Sequence, residues 1–366
     1  MDSPPFRVCR YLYTWLSGRA DLSVTEFEVD RGDGRMPVTL YAPRKAQGPV
    51  PAWIVLHGIT RPGRSHPTLV RFVRSLAATG CAVAVPEIPE WRELRLAPEV
   101  TSPTVRATIA GLARRLDIPA GHLGLVGFSF GAPQALALAA DPNVKDEIGG
   151  VIGFGGYCDL ERTVRFGFTG EHEQAGHVRR LRPDPYGRWV IGANYLTHVP
   201  GYEDADEVAT ALWRLAALAG DRGIISWDER FDPVKEELRR PMSPAGREVF
   251  DLFAPPSAQD PPNGETREIA AALSEAGRRV DPGIDRTPVF GDVDRPVHIM
   301  HGRHDHLIPY TEGVRLGRAL NPDALERSTV TPLFGHSTQD PFPGPVEGAK
   351  ESAVFLKALA GMLALV

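Results

Sequence analysis

The sequence predicts an α/β chain: a mostly parallel central sheet flanked by helices and interrupted by a large, mainly helical insertion. Three observations predict it. Short, continuously apolar runs alternate with helical patterns up to residue 156 and again from residue 291, the rhythm of βαβ units. Residues 157–290 break that rhythm, being richer in Arg, Asp, Glu and Pro and showing no buried strand. And a glycine-flanked serine, Ser129, sits between one such run and the helix that follows it. The expected organisation is therefore a core of residues 1–156 and 291–366 with a cap inserted at 157–290.

The elements follow in order. Phe6–Leu16 reads as an aromatic surface helix. Leu22–Asp30 and Met36–Ala42 read as a β pair joined by the turn residues Gly32, Asp33 and Gly34. Ala52–Leu56 is apolar throughout, as befits a strand covered on both faces. His66–Thr79 places Leu69, Phe72, Val73 and Leu76 at helical spacing; Cys81–Val85 is the next strand and Thr104–Leu116 the next helix. His122–Val126 is expected to be a strand leading into the helix former Ala132–Ala140, and Gly150–Phe154 is another strand. In the insertion, Asp206–Leu218 and Glu265–Glu275 carry helical patterns. The alternation resumes with a strand at Pro296–His301, a helix at Thr311–Leu320, an extended Ser328–Leu333 and a helix at Val346–Leu365.

Composition removes several function classes. In 366 residues, 41 basic side chains face 46 acidic ones, a net charge of −5, which lacks the basic footprint of a nucleic-acid binder. Three cysteines (Cys9, Cys81, Cys158) do not make a disulfide framework, so a reducing, cytoplasmic setting is expected. The apolar stretch Ala358–Val366 is far short of the ~20 residues of a membrane span, and the N-terminal segment does not read as a secretory leader. The 34 prolines and 37 glycines are scattered, as many turns would scatter them. Only Lys45, Lys145, Lys235, Lys350 and Lys357 are lysines, so arginine dominates everywhere and an arginine cluster carries little functional weight.

Chemistry concentrates in Gly127-Phe128-Ser129-Phe130-Gly131. A serine on a sharp strand-to-helix turn is lifted above the sheet, the glycines admit neighbouring chain, and the helix start offers N–H groups to a developing anion. Serine is a weak nucleophile without a base that is itself oriented by an acid. Asp305 lies just past the strand at Pro296–His301, at the strand end where open α/β sheets keep their sites. His336 follows the last extended run, giving the chain order Ser129, Asp305, His336.

With His57-Gly58, the Ser129 turn, Gly302 with Asp305 and Pro309, and Gly335-His336, the chain resembles the α/β-hydrolase superfamily, in particular its small-esterase and dienelactone-hydrolase branches. The resemblance covers roughly residues 20–156 and 291–366. It implies Ser129 as nucleophile, Asp305 as orienting acid, His336 as general base, and an oxyanion hole formed by the backbone N–H groups of Phe130 and Ile59. Two departures stand out: true dienelactone hydrolases carry a cysteine where Ser129 stands, and Ile59-Thr60 replace the extended H-G-G-G of one lipase branch. The implied reaction is hydrolysis of a carboxylic ester of a small or medium acyl substrate through an acyl-enzyme, with no metal or organic cofactor. The same three residues also serve amide, thioester, peptide or C–C cleavage and acyl transfer, and a non-catalytic binding protein could keep the fold.

Each residue has a plainer reading. Ser129 could be a helix cap, Asp305 a turn aspartate and His336 a loop histidine; their combined order favours the catalytic reading. His57 is expected to be structural. Of His298, His301, His304 and His306, the first two should point to opposite faces of a strand, and no ligand spacing is completed. Arg162, Arg165, Arg179, Arg180 and Arg182 read as solvated or ion-paired, and Trp189, Tyr195, Tyr202, Trp213, Trp227 and Phe231 as core of the insertion. Oligomeric state is not legible.

Overall fold

The structure, a computed structural model, describes residues 4–44, 48–259, 265–333, 335 and 345–366. The strands are Leu22–Asp30 (β1), Arg35–Pro43 (β2), Ala52–Leu56 (β3), Ala82–Pro86 (β4), Leu123–Phe128 (β5), Gly150–Phe154 (β6), Glu171–Gln174 (β7), His177–Arg180 (β8), Val297–Gly302 (β9) and Leu325–Thr331 (β10). Eight of them form one sheet in the order β1-β2-β4-β3-β5-β6-β9-β10. β2 runs antiparallel to both neighbours, and every pairing from β4 to β10 is parallel. β3, β4 and β6 are buried at every residue, which is why they read as unbroken apolar runs.

Strand alternation divides the core into two layers. Trp53 and Val55 of β3, Val126 of β5 and Met300 of β9 face one side. There they meet Pro4–Ser17 (α1), Pro67–Ala77 (α2) and, at the C-terminal end, Pro345–Leu363 through Leu359 and Met362. Ile54, Leu56, Leu125 and Ile299 face the other side. Pro89–Arg92 (α3) follows β4. Thr101–Ala113 (α4), Gly131–Leu138 (α5) and Tyr310–Ala319 pack on that second face through Val105, Leu136 and Leu316. The amphipathic N-terminal segment is thus a helix docked by Val8 and Tyr11, its exposed side carrying Phe6, Tyr13 and Leu16.

Between β6 and β9 the chain leaves the sheet. Leu160–Thr169 (α6), Pro185–Tyr195 (α7), Asp206–Arg222 (α8), Asp232–Arg239 (α9), Pro244–Phe253 (α10) and Glu265–Val280 (α11) stack above the strand ends; Tyr310–Ala319 and Pro345–Leu363 are then α12 and α13. Trp189, Tyr195 and Phe231 are fully buried here, so these three are core of the insertion, whereas Trp213, expected there too, is exposed and donates its indole N–H to the Glu93 carbonyl at 2.9 Å. The hairpin β7–β8 is a finding that the sequence does not suggest: it is short, β8 is wholly exposed, and Ala175 and Gly176 take left-handed φ of 52° and 79° at the turn. Buried Glu312 of α12 ties the insertion to the core. It accepts from the N–H groups of Cys158 (3.2 Å) and Asp159 (2.9 Å) and pairs with Arg162 (2.8 Å) at the start of α6.

Candidate active site

Ser129 stands on the two-residue turn between β5 and α5 with φ at +55°, a left-handed conformation that non-glycine residues rarely take. Two backbone bonds hold it there. Its N–H donates to the Phe154 carbonyl on β6 at 2.8 Å, and its carbonyl accepts from Ala132 N–H at 3.0 Å. The flanking glycines are sterically required: a Cβ at Gly127 would collide with the Gly131 carbonyl, and one at Gly131 would come within 3.0 Å of the His57 carbonyl. No side chain caps α5, and its start, next to Phe130, carries the positive end of the helix dipole.

Ser129, Phe130 and Ile59, three residues singled out from sequence, are brought together around one cavity of about 110 Å³. Its floor is formed by Ile59, Ser129 and Phe130, just beyond the ends of the central strands β3 and β5. Its roof comes from α6 and α7 of the insertion, through Leu160, Val164, Gly167, Tyr186, Val190 and Ile191. Tyr157 and Tyr186 also line it, with their hydroxyls donated to the Ile284 carbonyl (2.6 Å) and the Ile59 carbonyl (3.1 Å). Burial holds both phenols far above the ordinary tyrosine range, which removes them as general acids or bases near neutrality. Cys158 is no rival nucleophile, since burial first, and the Glu312 carboxylate second, push its thiol up to about 11.

Asp305 lies in the loop after β9 and is 1% exposed. Its Oδ1 accepts from the N–H groups of Leu307 and Ile308, both at 2.9 Å, and Leu307 and Ile308 themselves line the cavity. Its Oδ2 lies 3.3 Å from Nε2 of the fully buried His301, which is also 2.9 Å from the Ile308 carbonyl. His301 thus orients the loop, a role not evident from sequence. His298 and His301 do face opposite layers, toward Gly361 of α13 and Gly313 of α12. No cluster of three or more potential metal ligands occurs among the described residues. His57 is structural: its Nδ1 is 2.8 Å from the Gly58 carbonyl, and its Nε2 accepts Ile88 N–H at 3.2 Å. His336 lies outside the described residues.

Three of the five insertion arginines singled out from sequence are occupied elsewhere. Arg162 pairs with Glu312, Arg180 with Glu171 (2.6 Å), and Arg182 donates to the Ser257 carbonyl (2.5 Å). Sequence reasoning missed Tyr157, Tyr186 and Arg188 as cavity residues, because they fall in the insertion, where no strand rhythm fixes which face turns inward. The pattern Asp184-Pro185, a cap followed by proline at the start of a helix, was the available signal for α7.

No family model and no curated protein matches the chain. Among solved structures it is similar to a hypothetical protein from Pseudomonas aeruginosa at 12% identity, covering 94% of this chain and 94% of that one with a TM-score of 0.50. It is also similar to the 2,6-dihydroxy-pseudo-oxynicotine hydrolase at 17% identity, covering 98% of this chain and 73% of the other with a TM-score of 0.49. Est1E from Butyrivibrio proteoclasticus follows at 11% identity, covering 92% and 97% with a TM-score of 0.48. At such identities the likeness is one of fold. The strand order, with its single antiparallel strand β2, is that of the α/β-hydrolase fold.

Proposed function

We propose that the protein is a serine hydrolase that cleaves a carboxylic ester through an acyl-enzyme, with Ser129 as nucleophile, His336 as general base and Asp305 as the acid that orients it. The observation that carries this reading is Ser129 itself, held at φ +55° on the β5–α5 turn and opening onto an apolar cavity. Strain of this kind persists only where the surroundings enforce it, and here it sets Ser129 in the wall of the cavity.

In the proposed reaction Ser129 Oγ attacks the acyl carbon and gives its proton to His336. Asp305, its carboxylate fixed by two backbone N–H groups and His301, steadies the imidazolium. The developing oxyanion sits against the backbone N–H groups of Phe130 and Ile59, at the uncapped start of α5. His336 returns the proton to the alcohol, and a water that it activates then releases the acid. Residues 157–290 act as the cap over a core of residues 1–156 and 291–366, because α6 and α7 roof the cavity. A reducing, cytoplasmic setting suits three free cysteines, two of them buried. Among the described residues no helix is long and apolar enough to cross a membrane.

Ser129→Ala is expected to lower kcat/KM on p-nitrophenyl esters by about 10⁴-fold or more, with thermal stability unchanged. A fluorophosphonate probe should label the parent protein at Ser129. Turnover that survives the substitution, or labelling at another residue, overturns the assignment. Ester, thioester and amide substrates of matched acyl group, compared in the same assay, decide the bond class.

A further inference from the structure

We infer that the cavity receives an apolar group of about four to six carbon atoms from the substrate, and that Gly167 on α6 sets its length; this rests on the hydrolase reading of Ser129. The size follows from comparison: a dry apolar cavity of about 150 Å³ accepts a benzene ring, and the volume beside Ser129 is about 110 Å³.

The chemistry follows from where the polar side chains of the wall point. Tyr157 and Tyr186 give their hydroxyls to backbone carbonyls, and Thr163 gives its own to the Asp159 carbonyl at 2.8 Å. Arg188, the cation of the wall, donates to the carbonyls of Phe253 (2.6 Å) and Gly167 (3.1 Å). The three hydroxyls are spent on backbone carbonyls, two Arg188 N–H groups are likewise engaged, and the remaining lining is Ile, Leu, Val, Phe and Gly, apart from Ser129. An alkyl group therefore meets a mostly apolar wall, whereas an ammonium group would lose its hydration beside the Arg188 cation.

Gly167 has no backbone reason to be glycine. It lies inside α6, where glycine weakens the helix relative to alanine, and its φ is not left-handed. A Cβ placed on it would meet nothing nearer than the Arg188 backbone nitrogen at 3.9 Å, an ordinary contact. A longer side chain would grow into the cavity that Gly167 borders. By contrast, a Cβ on neighbouring Gly187 would press on Leu307 at 3.1 Å, so Gly167 is the position where added volume shortens the site without displacing the wall.

The test is a p-nitrophenyl ester series from acetate to dodecanoate, together with an ester of medium length ending in an ammonium group, assayed on the full-length protein. The parent should peak between butyrate and hexanoate and turn over the ammonium-ended ester at least tenfold more slowly than its uncharged counterpart. Gly167→Leu should move the peak to acetate, with hexanoate reduced tenfold or more relative to acetate. Gly167→Ala should shift it the same way by a smaller factor while keeping or raising thermal stability. Turnover without a length optimum, preference for the ammonium-ended ester, or a parent-like profile in folded Gly167→Ala and Gly167→Leu overturns the inference while leaving the hydrolase reading intact. Failure to hydrolyse any ester, with no phosphonate labelling at Ser129, overturns both.

Discussion

At Ser129 a single residue carries the functional argument, and its neighbours show how the conformation is enforced. The turn closes only because Gly127 presents no side chain to the Gly131 carbonyl. Gly127→Ala is therefore expected to destabilise the fold by about 1–3 kcal/mol through overpacking against the backbone and to reduce turnover further by moving the hydroxyl. Denaturant melts and ester kinetics on the same preparation check this; a variant with parent-like stability and rate would show that the turn tolerates the methyl. Asp305 illustrates the same dependence on backbone, since its orientation comes from two N–H groups in its own loop and from His301 across it.

At the scale of elements, α7 matters most, because it brings Tyr186, Val190 and Ile191 over the cavity. Its start is fixed by Asp184, 3% exposed, whose carboxylate accepts from Tyr186 N–H at 3.0 Å and whose own N–H donates to the His306 carbonyl at 2.7 Å. Asp184→Ala is expected to cost about 1–2 kcal/mol by uncapping the helix and to raise KM more than it lowers kcat, as the roof loses its anchor. Asp184→Asn keeps an acceptor and should recover most of both losses. An asparagine variant as unstable as the alanine one in urea titrations would rule out the capping account.

At the scale of the whole molecule, the two-layer core leaves His298 poorly placed for acid conditions. His298 of β9 is buried beneath α13, its Nδ1 without a hydrogen-bond partner; burial, with Arg327 of β10 adding to it, lowers its pKa from 6.5 to about 4. The unfolded chain therefore binds a proton on this histidine that the folded chain refuses between those values. The folded state is unaffected by it above pH 6.5 and loses stability as pH falls toward 4. The loss is about 2 kcal/mol after allowance for residual solvent screening. Stability measured from pH 7 to 4.5 should fall less steeply in His298→Leu than in the parent. Identical slopes would show that other groups control the acid response.

The sequence by itself determined the α/β order, the buried strands β3, β4, β5, β6 and β9 to within a residue or two, and the serine turn. These are local signals: period, glycine placement and the junction of strand with helix are written in consecutive residues. The same locality made His57, Trp189, Tyr195 and Phe231 legible as structure rather than chemistry. Only the tertiary structure decided that α6 and α7 roof Ser129, that the Tyr157 and Tyr186 hydroxyls are spent on backbone carbonyls, and that Glu312 ties the insertion to the core. Those contacts join residues more than 100 positions apart in several cases. No periodicity encodes such pairings, because they depend on how separately formed elements bury their faces against one another.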